Sequence, residues 1–450
     1  MNDGSLARNA SPGVQDAKAP SSAAAPEPTR IRSLDVLRGV GVLGMLAVHI
    51  QLFAFPSVAR WNPTAYGDLG GLNWWVWLAT SELADGKFIS IFAMLLGVSI
   101  VMQSGRGGDL ALSAARAHMR RMTALLVLGL LHAYFIWYGD MLVPLALCGI
   151  VVFPVRRLSP QWLLVLGGLV FTAGSALFLM LTWSTAQSDP LALAAWREHW
   201  TPRPAAMALE IAQYRGGWTG QMAQRVPAAL ETQTVTFVTH LFWQMTGLML
   251  IGMALFKLGV LSAARSRGFY LRMGALGFGA GMLLISLGLW RSFVTKWDLL
   301  DFALISEQLH YWGNFFVALG WTALVMLLCQ RGWPLRPVAA VGRMALSNYL
   351  LQSVICTTIF YGHGLGLFGR VDRAGQLAIV VGVWAFQLLA SSAWLGYFAV
   401  GPVEWIIRWL VYKRRPAFLR SPVVDAEVLN VLEPRPSPGD AHGGDRAHEP

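Results

Sequence analysis

Two arginine–histidine pairs frame the chemistry open to this sequence. In "LDVLRGVGVLGMLAVHI", residues 34 to 50, ten residues separate Arg38 from His49. In "RRMTALLVLGLLHAYFIWYGD" ten again separate Arg121 from His132. On a helix such a spacing rises about 16 Å and turns about 1100°, so each pair shares one face to within about 20°. A guanidinium suits phosphate or pyrophosphate. A neutral imidazole suits removal of a proton from a hydroxyl or amine. A donor phosphorylated at one end and acylated at the other, such as an acyl-CoA with its flexible arm, fits a channel between them. Acyl transfer across a membrane is the chemistry these residues permit.

The elements that must position them read as membrane spans. The 450 residues are 55% hydrophobic and only 13% charged, with a mean hydropathy of +0.50. A soluble chain carries about a quarter charged residues. Apolar runs of roughly 18 residues or more recur between short charged or Gly/Pro-containing breaks, the pattern of transmembrane helices. The expected fold is an all-α, polytopic integral membrane protein with about ten transmembrane helices. They fall at 34–56, 86–103, 122–138, 141–155, 161–183, 233–256, 269–290, 310–329, 338–360 and 376–399. The fourth, "MLVPLALCGIVVFPV", is short for a hydrocarbon core about 30 Å thick.

An even number of spans puts both termini on one side. Most of the 35 Lys and Arg lie on that side, which predicts cytoplasmic termini in the inner (plasma) membrane. Basic inner loops facing anionic lipid explain the net charge of +11, so membrane lipids and not nucleic acid are the expected partners. Residues 1–30 are Ala/Pro/Ser-rich, without the apolar core of a secretory signal, and read as a disordered tail. The segment 416–450, which holds His442 and His448, reads the same way. Between the tails lie an N-terminal membrane half, 31–232, and a C-terminal half, 233–415. The first includes a long outer loop at 184–232 with room for one or two amphipathic helices, as a lid or a docking surface. Cys148, Cys329 and Cys356 stand singly in apolar runs with no metal-ligand or redox spacing, which predicts buried thiols and no metal.

Other polar residues each admit a bland reading beside a sharper one. Asp35, one turn before Arg38, forms a local salt bridge or orients Arg38 at a donor site. Asp140, in "YGDML", serves a turn or orients His132. Lys87 reads as a snorkelling lysine at the outer start of the second span. Arg116, Arg120 and Arg121 are positive-inside charges or contacts to a donor's phosphates; the glycines at 105–108 lack a phosphate-loop context. His240, His310 and His363 read as interfacial. Asn348 and Gln352 share a face and either join helices or recognise an acceptor. Glu404 and Arg408 read as an interfacial ion pair, and "NWWVW" at 73–77 as an outer aromatic belt.

"RGVGVLGMLAVH" resembles the Arg–His signature of the acyltransferase 3 family, within the transmembrane acyltransferase superfamily. Further stretches resemble a related group, the YeiB-like proteins with domain of unknown function 418. They are "LDVLRG" at 34–39, "GKFISIFAMLLGVSI" at 86–100, "GLLHAYFIWYGDML" at 129–142, "SNYLLQSVICTTIFYG" at 347–362 and "GPVEWIIRWLVY" at 401–412. The superfamily resemblance implies an essential histidine at His49. The YeiB-like resemblance makes His132 and Asp140 rivals for that role.

The expectation is an integral-membrane acyltransferase that uses a cytoplasmic acyl-CoA and no metal. His49, His132 and Asp140 are its catalytic candidates, and Arg38, Arg120 and Arg121 hold the donor. Asn348 and Gln352 meet the acceptor, a glycan, lipid or small molecule bearing a hydroxyl or amine at the outer side. The alternatives are a transporter or lipid flippase, against which no internal repeat or pair of broken spans is evident to argue in favour, and a non-catalytic membrane scaffold.

Overall fold

The structure is a computed structural model that describes residues 31–104, 111–413 and 415–419. The tail expected at 1–30, residues 420–450 of the tail expected at 416–450, with His442 and His448, and the glycines at 105–108 lie outside the described residues.

Hydrocarbon offers a backbone no hydrogen-bond partner, so apolar runs satisfy their own amides as helix. The order is α1 (Arg32–Ala54), α2 (Leu72–Leu83), α3 (Lys87–Ser104), α4 (Ala111–Leu131), α5 (Leu142–Val152) and α6 (Pro160–Ser188). Then come α7 (Pro190–Trp200), α8 (Pro204–Arg215), α9 (Met222–Glu231), α10 (Phe242–Lys257), α11 (Arg267–Val294) and the single turn α12 (Leu299–Asp301). The chain ends with α13 (Glu307–Gln330), α14 (Arg336–Arg343), α15 (Ala345–Phe360), α16 (Arg373–Tyr397) and α17 (Pro402–Tyr412). Among the described residues, eight helical stretches are long and apolar enough to cross a membrane, and α5 and α15 are shorter apolar helices. Each of the ten expected runs is therefore helical, and the protein is an all-α, multi-pass membrane protein.

Proline opens α6, α7, α8 and α17, where its missing N–H costs nothing. Ser266 and Asp372 cap α11 and α16 by accepting the amides of Phe269 and Gly375.

Two close crossings set the frame around the arginine–histidine helices. A Cβ on Gly342 of α14 would overlap the Asp35 carbonyl of α1, and one on Gly39 would overlap the Val338 carbonyl. Gly97 of α3 and Gly252 of α10 meet the backbone of Met249 and Met94 in the same way. Small residues let backbones approach, which is how helices gain contact inside lipid.

Several expectations need correction. The span at 338–360 is two helices, broken at Met344 (φ −110°, ψ 32°). The break frees the start of α15 to be capped from α17. Glu404 accepts the amides of Leu346 (2.7 Å) and Ser347 (3.1 Å), and its second oxygen accepts the Ser347 hydroxyl at 2.5 Å. Glu404 is thus a helix cap and not the ion-pair partner of Arg408. The loop at 184–232 holds α7, α8 and α9, where one or two helices were expected. Residues 416–419 are docked, because Phe418 packs on Phe398 and Trp405 while its carbonyl accepts the Ala399 amide. Of the "NWWVW" tryptophans, Trp77 is buried against Phe293 and Trp297, and Trp75 alone is well exposed among Trp74, Trp75 and Trp77. Cys148 and Cys356 are buried free thiols, and Cys329 is half-buried.

Glu404→Ala should lower stability by about 1–2 kcal/mol, the usual cost of a lost cap. Thermal unfolding in detergent measures it, with Arg408→Ala leaving the transition in place.

Candidate functional site

α4 does not end in an ordinary turn. Its continuation, His132–Ile136, winds as a π-helix, with the Trp137 amide donating to the His132 carbonyl at 2.8 Å. Such a bulge widens the helix and re-aims its side chains. Trp137 is then extended (φ −157°, ψ 128°), and the chain doubles back. This reversal carries Asp140 to the His132 ring.

The contact is direct. His132 Nδ1 lies 2.9 Å from Asp140 Oδ1, and both side chains are almost wholly buried. The other carboxylate oxygen accepts the Val143 amide at 2.8 Å, so one residue orients the ring and starts α5. An ionised carboxylate only accepts, so Nδ1 carries the ring proton and Nε2 is left as an acceptor. Facing Nε2 at 2.9 Å is the Ser353 hydroxyl of α15. Ser353 lies in "SNYLLQSVICTTIFYG", and nothing in that stretch by itself marks it as a partner of His132.

His49 comes to the same place from α1. Its ring centroid is 4.9 Å from that of Trp137, which lies 6.2 Å from His132 and stacks on Phe53 at 4.1 Å. Among the described residues, no hydrogen bond reaches the His49 ring. The buried indole N–H of Trp137 also has no partner.

At the opposite end of the two helices the arginines gather. Arg38 bonds Asp35 at 3.1 Å. Arg121 lies within electrostatic reach of Arg38, of Tyr412 and of Arg408 on α17. Three like charges share this end. Arg120 turns elsewhere: it donates to the Val411 carbonyl at 3.3 Å and, with Arg116, Met119 and Leu410, lines a lateral groove of about 610 Å³. The structure therefore brings together Arg38 with Arg121 and His49 with His132, and leaves Arg120 apart.

Asn348 and Gln352 join helices. Asn348 Nδ2 donates to the Val341 carbonyl (3.2 Å) and Ser391 (2.9 Å). Gln352 Nε2 donates to the Val42 carbonyl (3.1 Å) and Gln387 (2.9 Å). This network pins α15 to α1 and α16 beside the histidines, and it occupies the donors an acceptor would need.

A charged cluster adjoins His49. Arg60 binds Asp85 at 3.0 Å, and Asp85 keeps 37% of its side chain accessible. Lys87, His310 and His49 lie within electrostatic reach of Asp85, and Glu307 within reach of Asp85 and Arg60. Lys87 does not snorkel: it is buried, and its ammonium donates to the Ser81 carbonyl across the α2–α3 turn. Two carboxylates and a lysine in "ELADGK" (82–87), inside an apolar region, were the sequence signal for this cluster. His310 belongs to it.

The 184–232 segment covers the histidine end. Trp218 and Arg225 both donate to the Phe135 carbonyl at 3.1 Å, satisfying an acceptor that the π-turn frees. Tyr214 of α8 stacks on Phe368, and its carbonyl accepts the Gly362 amide at 2.9 Å. Glu210 accepts the Ser57 amide at 2.9 Å. Burial raises the Glu210 carboxyl above its ordinary range and outweighs the Ser57 bonds, which act the other way. A docked group with a raised pKa holds its proton more tightly than when undocked. Docking should be strongest below the ordinary glutamate value near 4.3 and weaken as pH rises through the raised one. Hydrogen exchange of α8 should therefore speed up over that window, and Glu210→Gln should abolish the slope.

The model of the family described as "Protein of unknown function (DUF418)" matches residues 255–414. The chain is 32% identical to the uncharacterized protein YeiB of Escherichia coli over 394 residues, which cover 85% of this chain and 96% of that protein. It is 27% identical to the uncharacterized protein YxaH of Bacillus subtilis over 405 residues, covering 85% and 94%. A 39.9 kDa protein encoded in the amylase 3′ region of Bacillus acidopullulyticus is 24% identical over 396 residues, covering 86% and 95%.

Proposed function

The chain belongs to the YeiB-like, DUF418 family, and from the site geometry we propose that it is an integral-membrane acyltransferase of a bacterial inner membrane. It moves an acyl group from a cytoplasmic acyl-CoA to a hydroxyl or amine presented at the outer side. The observation that carries the reading is the matching of two helices end to end. Arg38 and Arg121 meet at one end, and His49 and His132 share Trp137 at the other.

With cytoplasmic termini the arginine end faces the cell interior. There the guanidiniums hold the donor's phosphates, and the anion relieves their mutual repulsion. The thioester reaches the imidazoles about 16 Å away along the helices. Over the whole transfer the acceptor's oxygen or nitrogen ends bonded to the acyl carbon, the donor's C–S bond breaks, and a histidine relays the acceptor's proton to the departing thiolate. His49, with no hydrogen-bond partner among the described residues, is placed to meet the acceptor beside the Trp137 N–H.

The test is turnover of labelled acetyl-CoA by purified protein in nanodiscs. His49→Ala should lose about 10²–10⁴-fold of the rate. Arg121→Ala should raise KM for the donor about tenfold with a smaller change in kcat. Full-rate donor consumption by both His49→Ala and His132→Ala would remove the reading.

One observation favours transport as a second reading: the Arg60–Asp85 pair and its charged neighbours form an accessible polar site within an apolar bundle. Solute uptake without acyl turnover would select it.

A further inference from the structure

We propose that Ser353, His132 and Asp140 form a catalytic triad in which Ser353 is the nucleophile and carries the acyl group as a serine ester. This rests on the acyl-transfer reading and adds to it a covalent intermediate and the residue that bears it.

The geometry has the three parts such a triad needs. A buried carboxylate takes the Nδ1 proton at 2.9 Å, the opposite ring nitrogen is free to accept, and a hydroxyl stands 2.9 Å from it. The three groups come from separate elements: the end of α4, the turn before α5, and α15. The imidazole is held between Trp137 and Tyr349, whose ring centroids lie 6.2 and 5.2 Å away.

A serine in an apolar helix ordinarily returns its proton to the carbonyl four residues back. Its neighbours do so: Thr357 bonds Ser353 O at 2.8 Å, Thr358 bonds Val354 O at 2.7 Å, and Ser392 of α16 bonds Leu388 O at 2.6 Å. Ser353 stands 3.4 Å from the Tyr349 carbonyl and 2.9 Å from His132. The shorter contact is the one to the base. The serine keeps the carbonyl contact only as a long bond and lies closer to the imidazole.

The chemistry balances. Ser353 Oγ attacks the thioester carbonyl carbon as its proton passes to His132 Nε2. The tetrahedral adduct collapses, the C–S bond breaks, and the thiolate departs with the proton from Nε2. In the second half the acceptor, held at His49, gives its proton to His132 as it attacks the ester. The Ser353 C–O bond breaks, and Oγ recovers that proton. The Tyr349 hydroxyl accepts the Met141 amide at 3.2 Å and keeps its own proton to offer the oxyanion.

Ser353 is 1% exposed. Burial shields the ester from water and favours transfer over hydrolysis. It also requires Trp137 or Tyr349 to give way when a donor enters, so reagents should react slowly.

The experiment treats the full-length protein in nanodiscs with an alkyl fluorophosphonate and maps the adduct by peptide mass spectrometry. Modification is expected on Ser353, reduced at least ~100-fold in His132→Ala and absent in Ser353→Ala. Both variants should keep the wild-type thermal transition to within a few degrees. In parallel, labelled acetyl-CoA followed by acid quench should leave the label on the same peptide. Adduct at Ser353 without any acyl-CoA turnover would support the triad and remove the donor reading. Turnover with no adduct at Ser353, or a Ser353→Ala protein that transfers acyl groups at the wild-type rate, would overturn the proposal.

Discussion

On the proposed acyl transfer, Asp140→Asn should lower turnover about 10³-fold while the protein stays folded. The amide keeps an oxygen for the Val143 amide, so the start of α5 holds. Its NH₂ then faces His132 Nδ1 and donates where the carboxylate accepted. The ring proton moves to Nε2, and the nitrogen facing Ser353 can no longer take a proton. Asp140→Ala removes both contacts, so it adds about 1 kcal/mol of lost stability to the same fall in rate. Rates in nanodiscs and melting curves of the two variants separate the effects. If Asp140→Asn turns over at the wild-type rate, His132 is not the base, and Asp140 serves the turn alone.

Gly342→Val should prevent α14 from seating on α1. The added Cβ would overlap the Asp35 carbonyl and crowd the Gly39 amide, and neither backbone can move without separating the helices. A cost of about 3 kcal/mol is expected, at the upper end for overpacking. Asp35 and Arg38 sit on this part of α1, so the protein that survives should also show a raised donor KM. Gly382→Val is the control. A Cβ there meets nothing within 4 Å, and the change should move the thermal transition by less than about 1 kcal/mol. Equal melting curves for the two variants would show that the α1–α14 crossing is looser than its backbone contact implies.

Much of the scaffold was legible before any coordinates. Apolar run length is a property of consecutive residues, and each of the ten runs is helical, the one at 338–360 as two helices, because lipid leaves the backbone no alternative. The short fourth run is the short α5. The shared face of each arginine–histidine pair also follows from the helical repeat alone. These facts need no knowledge of neighbours.

What tertiary structure alone decided is which polar groups meet. Ser353 lies 221 residues from His132, and no local pattern predicts their 2.9 Å contact. Asp140 reaches the ring because the π-turn and the extended Trp137 reverse the chain, a departure that hydropathy does not encode. Glu404 stands four residues before Arg408 and still binds the start of α15, since bare amides at a helix terminus attract a carboxylate strongly. Lys87 is buried and not snorkelling because the α2–α3 turn brings the Ser81 carbonyl to the ammonium. Sequence determines how far along a helix a polar side chain lies and on which face. The packing of that face against others determines whether it finds a partner, and here that separates the bound His132 from the free His49.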